Sequence, residues 1–176
     1  DPDHLFVGRL HDVFIPARSV EAPPVILDVE CKTVVESWLL EVKTVTGAKN
    51  IGSMAGVVTG LSASNNIGPN TRSTEYVSVY FDNQTIDENG VLTARFNTFG
   101  WNEEITEPQV LSLVFNDIVG KGHVYNIDVS DQFPGNKEQV IRINIEIDIP
   151  EPMTPGDGGF VPKVDEWEDV NTDIII

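Results

Sequence analysis

The chain has 176 residues and a formal net charge of −17, which is long enough for one domain with a substantial core. The charge argues against binding to DNA, RNA or an anionic lipid surface, because each of these partners attracts basic patches. A single cysteine, Cys31, excludes an internal disulfide framework, and no apolar run is long enough to predict a transmembrane helix.

The first half of the chain predicts a series of short β-strands. Residues 5–8 form a short extended piece, and residues 25–33 alternate apolar with charged side chains. That alternation predicts a strand in which Cys31 is a buried, inert thiol. Residues 37–46 predict another strand, although part of this stretch also fits a helical turn. Residues 53–63 are small or apolar, which suits a strand that a neighbouring layer approaches closely.

The second half continues in the same manner up to residue 130. Residues 74–81 predict a strand, and residues 91–99 follow an Asp-Glu-Asn-Gly turn as its hairpin partner. Residues 109–115 and 123–130 predict two further strands, which are separated by a Gly-Lys-Gly turn.

Residues 140–149 carry the clearest pattern in the chain, because every second residue is an isoleucine. A period of two places these side chains on one face of a strand. A face so apolar needs cover, so we expect this strand in an antiparallel sheet that packs on a second layer. The predicted core residues are Ile141, Ile143, Ile145 and Ile147.

Eight or nine short strands without a long helix predict an all-β fold, an antiparallel two-sheet sandwich that spans residues 1–150. Residues 151–176 contain seven acidic residues and one lysine, with prolines and glycines near the start. They predict a linker and an acidic tail that is too apolar to be simply solvated. We expect the tail to add a strand to a sheet edge, the alternative being a disordered terminus. Its candidate strand-donating residues are Val164, Trp167, Val170 and Ile174.

The sequence contains no legible set of catalytic groups. The histidines His4, His11 and His123 lack the spacing of metal ligands, and no nucleotide-binding or nucleophile motif occurs. The prediction is therefore a non-enzymatic protein with no catalytic residues, no cofactor and no metal site. Asn83 begins an Asn-x-Thr glycosylation acceptor, a pattern that is common by chance.

Several stretches carry a resemblance to a known family. Residues 53–61 read Ser-Met-Ala-Gly-Val-Val-Thr-Gly-Leu, residues 95–100 read Arg-Phe-Asn-Thr-Phe-Gly, and residues 125–132 read Tyr-Asn-Ile-Asp-Val-Ser-Asp-Gln. Residues 158–160 and 165–169 read Gly-Gly-Phe and Asp-Glu-Trp-Glu-Asp. Together they resemble the fimbrillin-superfamily lipoproteins of Bacteroides and its relatives, in particular the carboxy-terminal domain of minor or anchor-type fimbrial subunits. The chain departs from that pattern by a Ser before the Met and by a Ser in place of a Thr.

The resemblance implies a transthyretin-like Greek-key sandwich and a cell-surface structural or adhesive role, as a fimbrial anchor or minor pilus subunit. It also implies export by a lipoprotein signal and display on the outer membrane. The expected partners are other pilus or surface-protein subunits, joined by strand addition. Contact with the membrane would come only through a lipid anchor upstream of Asp1.

An alternative function is a glycan-binding module of an outer-membrane uptake system, which would also be exported, acidic and β-rich. Exposed aromatic side chains that stack on sugar rings would distinguish it. The candidates are Tyr76, Tyr80 and Trp101, for which ordinary packing in the core or on the surface is the competing interpretation.

Overall fold

The structure is a computed structural model that describes residues 2–17 and 23–152. Within those residues it is all-β apart from two short 3₁₀ helices, Ala48–Asn50 and Ser130–Gln132, and no helix there is long and apolar enough to cross a membrane. The strands are β1 (Phe6–Gly8), β2 (Cys31–Thr33), β3 (Glu36–Thr46), β4 (Ile51–Ser62), β5 (Asn65–Asn66), β6 (Thr71–Arg72), β7 (Tyr76–Phe81), β8 (Thr85–Ile86), β9 (Leu92–Thr98), β10 (Val110–Asp117), β11 (Gly122–Asp128) and β12 (Val140–Asp148).

Eight of these strands form two four-stranded sheets. One has the order β12-β3-β9-β8 and is called the β3 sheet below, and the other has the order β11-β10-β4-β7 and is called the β4 sheet. The chain crosses between the two sheets several times, at β3 to β4, β7 to β8, β9 to β10 and β11 to β12. Two small ladders, β1-β2 and β5-β6, lie outside them.

The two sheets face each other across one core. Their buried apolar side chains form a single cluster, in which the ring of Phe81 on β7 stacks on that of Phe96 on β9 at 5.3 Å between centroids. The predicted inward face of β3 is confirmed, since Trp38, Leu40 and Val42 are all buried. Burial of an aliphatic side chain of this size contributes about 1.5–3 kcal/mol, so this cluster dominates the stability of the fold.

One isoleucine of β12 is not buried in the core as predicted. Ile141, Ile143 and Ile147 are buried as predicted. Ile145, in contrast, is 39% exposed. The pairing of β12 with β3 shifts register after Ile143 and resumes at Glu146. The alternation of faces continues beyond it, since Ile147 and Ile149 are buried. Ile145 lies where the pairing with β3 is interrupted, so its side chain is covered less completely than those of its neighbours.

The direction of β12 also differs from the prediction, because β12 runs parallel to β3. All other strand pairs are antiparallel. Alternation along a strand defines its two faces but not the direction of its neighbour. The chain enters β12 after crossing from β11 in the opposite sheet, and a crossover of this kind permits a parallel pair.

The predicted hairpin of residues 74–81 with residues 91–99 is wrong, because β7 and β9 lie in different sheets. The turn at residues 87–90 instead joins β9 to the two-residue β8. A short alternating strand has the same sequence pattern whichever of two facing sheets it joins, so the pattern could not separate these arrangements.

Another difference concerns β4, whose small residues are approached within their own sheet. Gly56 lies opposite Phe81 in the β4-β7 register, and a Cβ on Gly56 would lie 2.3 Å from the Phe81 ring. The ring of a neighbouring strand, rather than the opposite layer, therefore requires glycine at this position.

The N-terminal part of the described chain lies outside the sandwich. Of the strand predicted at residues 25–33, only Cys31–Thr33 forms, paired with β1. Cys31 is exposed instead of buried, and its apolar neighbours Val25 and Ile26 are exposed as well. An alternating stretch becomes a regular strand where another layer covers its apolar face, and here Val25, Leu27 and Val29 remain 45–53% exposed.

Candidate functional site

The three aromatic residues predicted to stack on sugars do not come together. Tyr76 and Tyr80 both lie on β7 and are 53% and 55% exposed. Trp101 lies in the loop after β9 and packs partly against the core. The tail residues predicted to donate a strand all lie outside the described residues: Val164, Trp167, Val170 and Ile174.

The edges of the two sheets form the first candidate site. The β3 sheet ends in β12 on one side and in the two-residue β8, next to β9, on the other. The β4 sheet ends in β11 and β7. An edge strand presents backbone N–H and C=O groups to which another strand can pair, so an uncovered edge is a place where a partner can add a strand.

Gln132 covers the edge of β12. The Arg142 N–H donates to Gln132 Oε1 at 2.8 Å, and Gln132 Nε2 donates to the Arg142 carbonyl oxygen at 3.1 Å. One carboxamide thus makes the two bonds that a residue of an adjacent strand would make. Asn136 Nδ2 donates in addition to the Val140 carbonyl oxygen at 2.9 Å. We call the two bonds between Gln132 and Arg142 the β12 clamp.

Asn83 makes the same contact at the opposite edge of the β3 sheet. Its Nδ2 donates to the Arg95 carbonyl oxygen at 2.7 Å, and the Arg95 N–H donates to Asn83 Oδ1 at 3.1 Å. β8 pairs with β9 only as far as Thr93, so this β9 clamp covers the backbone just beyond the end of β8. The amide nitrogen to which a glycan would be attached is therefore engaged in the fold.

The β4 sheet has no equivalent contact. In residues 2–17 and 23–152, no side chain makes two bonds to one backbone position of β7 or β11; the nearest case is the single bond from Gln84 Nε2 to the Phe81 carbonyl at 3.3 Å. The Ala63 N–H donates to the Glu75 carbonyl oxygen, so the backbone polar groups of Glu75 point toward β4. Because these groups alternate in direction along a strand, those of Ser78 point away from β4. Both edges of this sheet are open to a further strand within the described structure.

A buried carboxylate holds the turn that leads into β11. Asp117 Oδ1 accepts the N–H groups of Val119 at 3.0 Å and Lys121 at 2.8 Å, and Oδ2 lies 3.4 Å from His123 Nε2. Burial alone would raise the pKa of Asp117, but the hydrogen bonds from Lys121, His123 and Val119 outweigh it and hold the pKa below its ordinary value. The ionised carboxylate therefore stabilises the start of this edge strand.

The described residues contain one serine–histidine contact, which lacks the features of an activated nucleophile. Ser37 Oγ lies 3.1 Å from His4 Nε2, but the Ser37 hydroxyl donates to Asn97 Oδ1 at 2.7 Å. His4 Nδ1 lies 3.3 Å from the Thr33 hydroxyl, so a hydroxyl and not a carboxylate is next to that nitrogen. No group of three or more His, Cys, Asp or Glu side chains that could hold a metal occurs in the described part of the chain.

Trp101 lines a cleft of about 880 Å³ at one end of the β3 sheet. The start of β3, the loop after β9 and the loop before β12 all border this cleft. They meet there because β12 is parallel and β9 antiparallel to β3. Sequence reasoning identified Trp101 alone, whereas the polar lining that surrounds it comes from the rest of its own loop and from three other stretches, residues 33–38, 65–74 and 135–139.

The fold and its edges define an all-β sandwich with one clamped and one open sheet. The chain matches no model of a known protein family and no curated protein. It is similar to a solved structure of a Bacteroides ovatus protein described as a "putative adhesin", with a TM-score of 0.55 and 20% sequence identity. The match covers 88% of this chain and 60% of that protein, and it shows a common fold.

Proposed function

We propose that this protein is a cell-surface structural or adhesive protein that joins other surface subunits by strand addition to the β4 sheet. The observation that carries the proposal is the difference between the sheets: both edges of the β3 sheet are clamped by a carboxamide, and both edges of the β4 sheet are open. Proteins that avoid strand addition cover their edges, so an edge left open on a sheet of this length is a candidate interface.

We assign the added strand to β7 in preference to β11. The exposed side chains of Tyr76, Val77 and Tyr80 lie along six residues of β7 and give an incoming strand apolar surface as well as backbone partners. On β11, the exposed apolar side chain is Val124, and the side chain of the next residue, Tyr125, is bonded to β12 through its Oη and the Asp148 carbonyl at 2.8 Å.

The finer assignment is a fimbrial anchor or minor pilus subunit of the fimbrillin type, carried on the outer membrane by a lipid anchor. The short stretches quoted above and the fold likeness to the Bacteroides ovatus protein support it. The repeated crossing of the chain between its two sheets supports a transthyretin-like Greek key. In this assignment residues 1–150 form the sandwich, and residues 151–176 are a tail that donates its strand to another subunit.

A proline on β7 tests the strand addition. Ser78→Pro removes an N–H that points away from β4. An incoming strand therefore loses one backbone hydrogen-bond donor, while the hydrogen bonds between β7 and β4 remain. Ser78→Ala is the matched control. We expect the full chain to self-associate or to bind its partner subunits in sedimentation experiments, and Ser78→Pro to lose this binding. Association that survives Ser78→Pro but is lost in Val124→Pro would move the interface to β11.

Hydrogen exchange on the same assemblies tests whether the carboxy-terminal tail supplies the added strand. Amides of residues 164–175 should be protected in the assembled protein and exchange faster in Ser78→Pro. Exchange at random-coil rates throughout the tail, in the isolated and the assembled protein alike, would contradict the role of Val164, Trp167, Val170 and Ile174.

Labelling of intact cells tests the location and separates the two assignments. Antibody against the full chain should label unpermeabilised cells that express the protein, and isolated fimbriae should contain it. A periplasmic protein serves as the control for leakage. Co-purification with a glycan transporter instead of with fimbriae would favour the uptake-system alternative, and labelling only after permeabilisation would contradict both.

A further inference from the structure

The cleft around Trp101 is built from side chains that suit recognition of a sugar. Its lining combines aromatic rings with five carboxamides and three carboxylates. A carboxamide can donate to and accept from adjacent hydroxyl groups, a carboxylate can accept from them, and a ring beside them offers an apolar face. Asn102 and Asn136 already bond backbone groups with both amide atoms, so the carboxamides offered to a ligand include Asn70 and Gln139.

The centre of the cleft is held in place before any ligand arrives. Glu36 forms an ion pair with the Arg72 guanidinium through one oxygen and accepts from Trp38 Nε1 through the other at 3.0 Å. Arg72 Nη1 also donates to the Trp101 carbonyl oxygen at 2.8 Å. The loop that carries Trp101 is therefore fixed to β3 and β6, which reduces the ordering cost of binding.

Gly100 lets Arg72 reach this position. Gly100 has a φ of +93°, and a Cβ at that residue would lie 2.6 Å from the Arg72 Cζ. A larger residue would displace the guanidinium from the Trp101 loop. Asn102 Nδ2 donates to the Arg72 carbonyl oxygen at 2.8 Å. The loop after β9 is therefore joined to β6 through both the side chain and the backbone of Arg72.

One group in the wall of the cleft has no partner in the described structure. Asn65 Oδ1 is buried and accepts no hydrogen bond there. Buried polar atoms are paired in most proteins, so an unpaired acceptor just behind a cleft surface is unusual. Because the atom is covered in the unliganded chain, a ligand hydroxyl would reach it only after the Asn65 side chain rotates toward the cleft. Arg72 uses two of its five N–H donors in the bonds described above, and its side chain is 38% exposed.

We propose that this cleft binds a neutral oligosaccharide, whose ring stacks near Trp101 and whose hydroxyl groups meet Asn65 and the surrounding amides. The cleft volume lies at the upper end of the range for small-molecule sites, which suits more than a single sugar ring. Glu36 neutralises Arg72, and Glu103 and Glu104 outnumber Lys137 at the cleft. With a chain charge of −17, this balance disfavours an anionic ligand.

The proposal is tested with the full chain on a printed array of neutral and sialylated oligosaccharides, followed by titration with chitotriose, maltotriose and N-acetyllactosamine. We expect binding to one or more neutral glycans, accompanied by a change in tryptophan fluorescence. Trp101→Ala should weaken that binding by about tenfold, the size of a lost aromatic contact, and Trp101→Phe should restore part of it.

Asn65→Ala separates recognition from folding. It removes an unpaired buried acceptor, so the variant should melt no lower than the parent chain while its glycan affinity falls. Phe14→Ala, which changes an exposed aromatic residue outside the lining of the cleft, is the control that should bind as the parent does. No binding to any neutral glycan, binding to sialylated glycans alone, or binding that only Phe14→Ala reduces would overturn the proposal. Because the cleft is separate from β7, its failure would leave the strand-addition proposal standing.

Discussion

The two sheets of this sandwich are alike in strand number and differ at their edges. In the β3 sheet, Gln132 and Asn83 each satisfy both backbone groups of one edge residue, Arg142 and Arg95. In the β4 sheet, β7 and β11 receive no such pair of bonds from the described residues. The comparison teaches that a sheet edge can be closed by one carboxamide as well as by another strand, and that closure is selective within one domain.

This difference between the sheets favours one site for the addition of a partner strand. A partner that adds a strand can pair with the β4 sheet without displacing any side chain, whereas pairing with the β3 sheet requires two hydrogen bonds to break first. The cost of the wrong contact therefore guides assembly as much as the attraction of the correct one. The predictions below disturb one sheet at a time, from the largest expected effect to the smallest.

The largest effect is expected where β12 joins the core of the β3 sheet. Ile143 is 2% exposed, so Ile143→Asp buries an unpaired charge and should lower the free energy of unfolding by about 3–5 kcal/mol. Ile145→Asp, two residues along the same strand, is the matched control and should cost much less because Ile145 is partly exposed. Urea denaturation measures both. Equal losses of stability in the two variants would mean that Ile145 is buried as deeply as Ile143.

Gln132→Ala should open the β12 edge. It removes both bonds to Arg142, and we expect a loss of about 1–2 kcal/mol in the free energy of unfolding together with concentration-dependent association. Gln132→Glu is the comparison variant: it keeps an acceptor for the Arg142 N–H but sets a carboxylate oxygen against the Arg142 carbonyl oxygen. It should lose stability without associating, because a charge at a sheet edge opposes strand addition. Sedimentation velocity shows whether the opened edge associates. A Gln132→Ala variant that is less stable but monomeric at all concentrations would limit Gln132 to a role in stability.

Asn83→Ala applies the same test to the β9 clamp, with a smaller expected effect. Asn83 is exposed, so water can replace part of each bond, and the loss should be about 0.5–1 kcal/mol. Thr85→Val is the comparison variant: it removes the glycosylation acceptor pattern and the contact of the Thr85 hydroxyl with the Thr93 hydroxyl at 3.0 Å, and leaves the Asn83 carboxamide in place. An Asn83→Ala chain as stable as the parent would show that the side chain of Asn83 does not cover this edge.

The β content, the inward face of β3 and most of β12 could be predicted from the sequence, because alternation directly reports which face of a strand is buried. The same pattern misplaced Ile145, since a register shift depends on the partner strand and leaves no mark in the strand itself. It also failed at Cys31 and Val25, where an alternating stretch lies outside the sandwich. Sheet membership and strand direction depend on long-range pairing, which local patterns do not contain.

The site was less accessible to sequence reasoning than the fold. In the sequence, Asn83 belongs to a glycosylation acceptor pattern and Gln132 to one of the stretches that carry the resemblance. Neither pattern indicates a hydrogen bond to the backbone of Arg95 or Arg142. Of the three aromatic candidates, only Trp101 lies in a cleft, and its partners Arg72 and Glu36 come from separate parts of the chain. Contacts between residues far apart in sequence require the folded arrangement.

The smallest effect concerns the turn that leads into β11. Hydrogen bonds hold the pKa of Asp117 below its ordinary value in the folded chain, so its contribution is fully present above the unfolded pKa, about 3.9, and is lost as pH falls through the lower folded value. Asp117→Asn keeps an acceptor for Val119 and Lys121 but removes the charge. The parent should therefore lose stability more steeply than this variant as the pH falls below about 4, measured by thermal melts at a series of pH values. Hydrogen exchange should show the early loss of protection in β11, not in β12, because Asp117 holds an edge of the β4 sheet alone. Parallel acid profiles for the two proteins would show that the charge of Asp117 does not stabilise this edge.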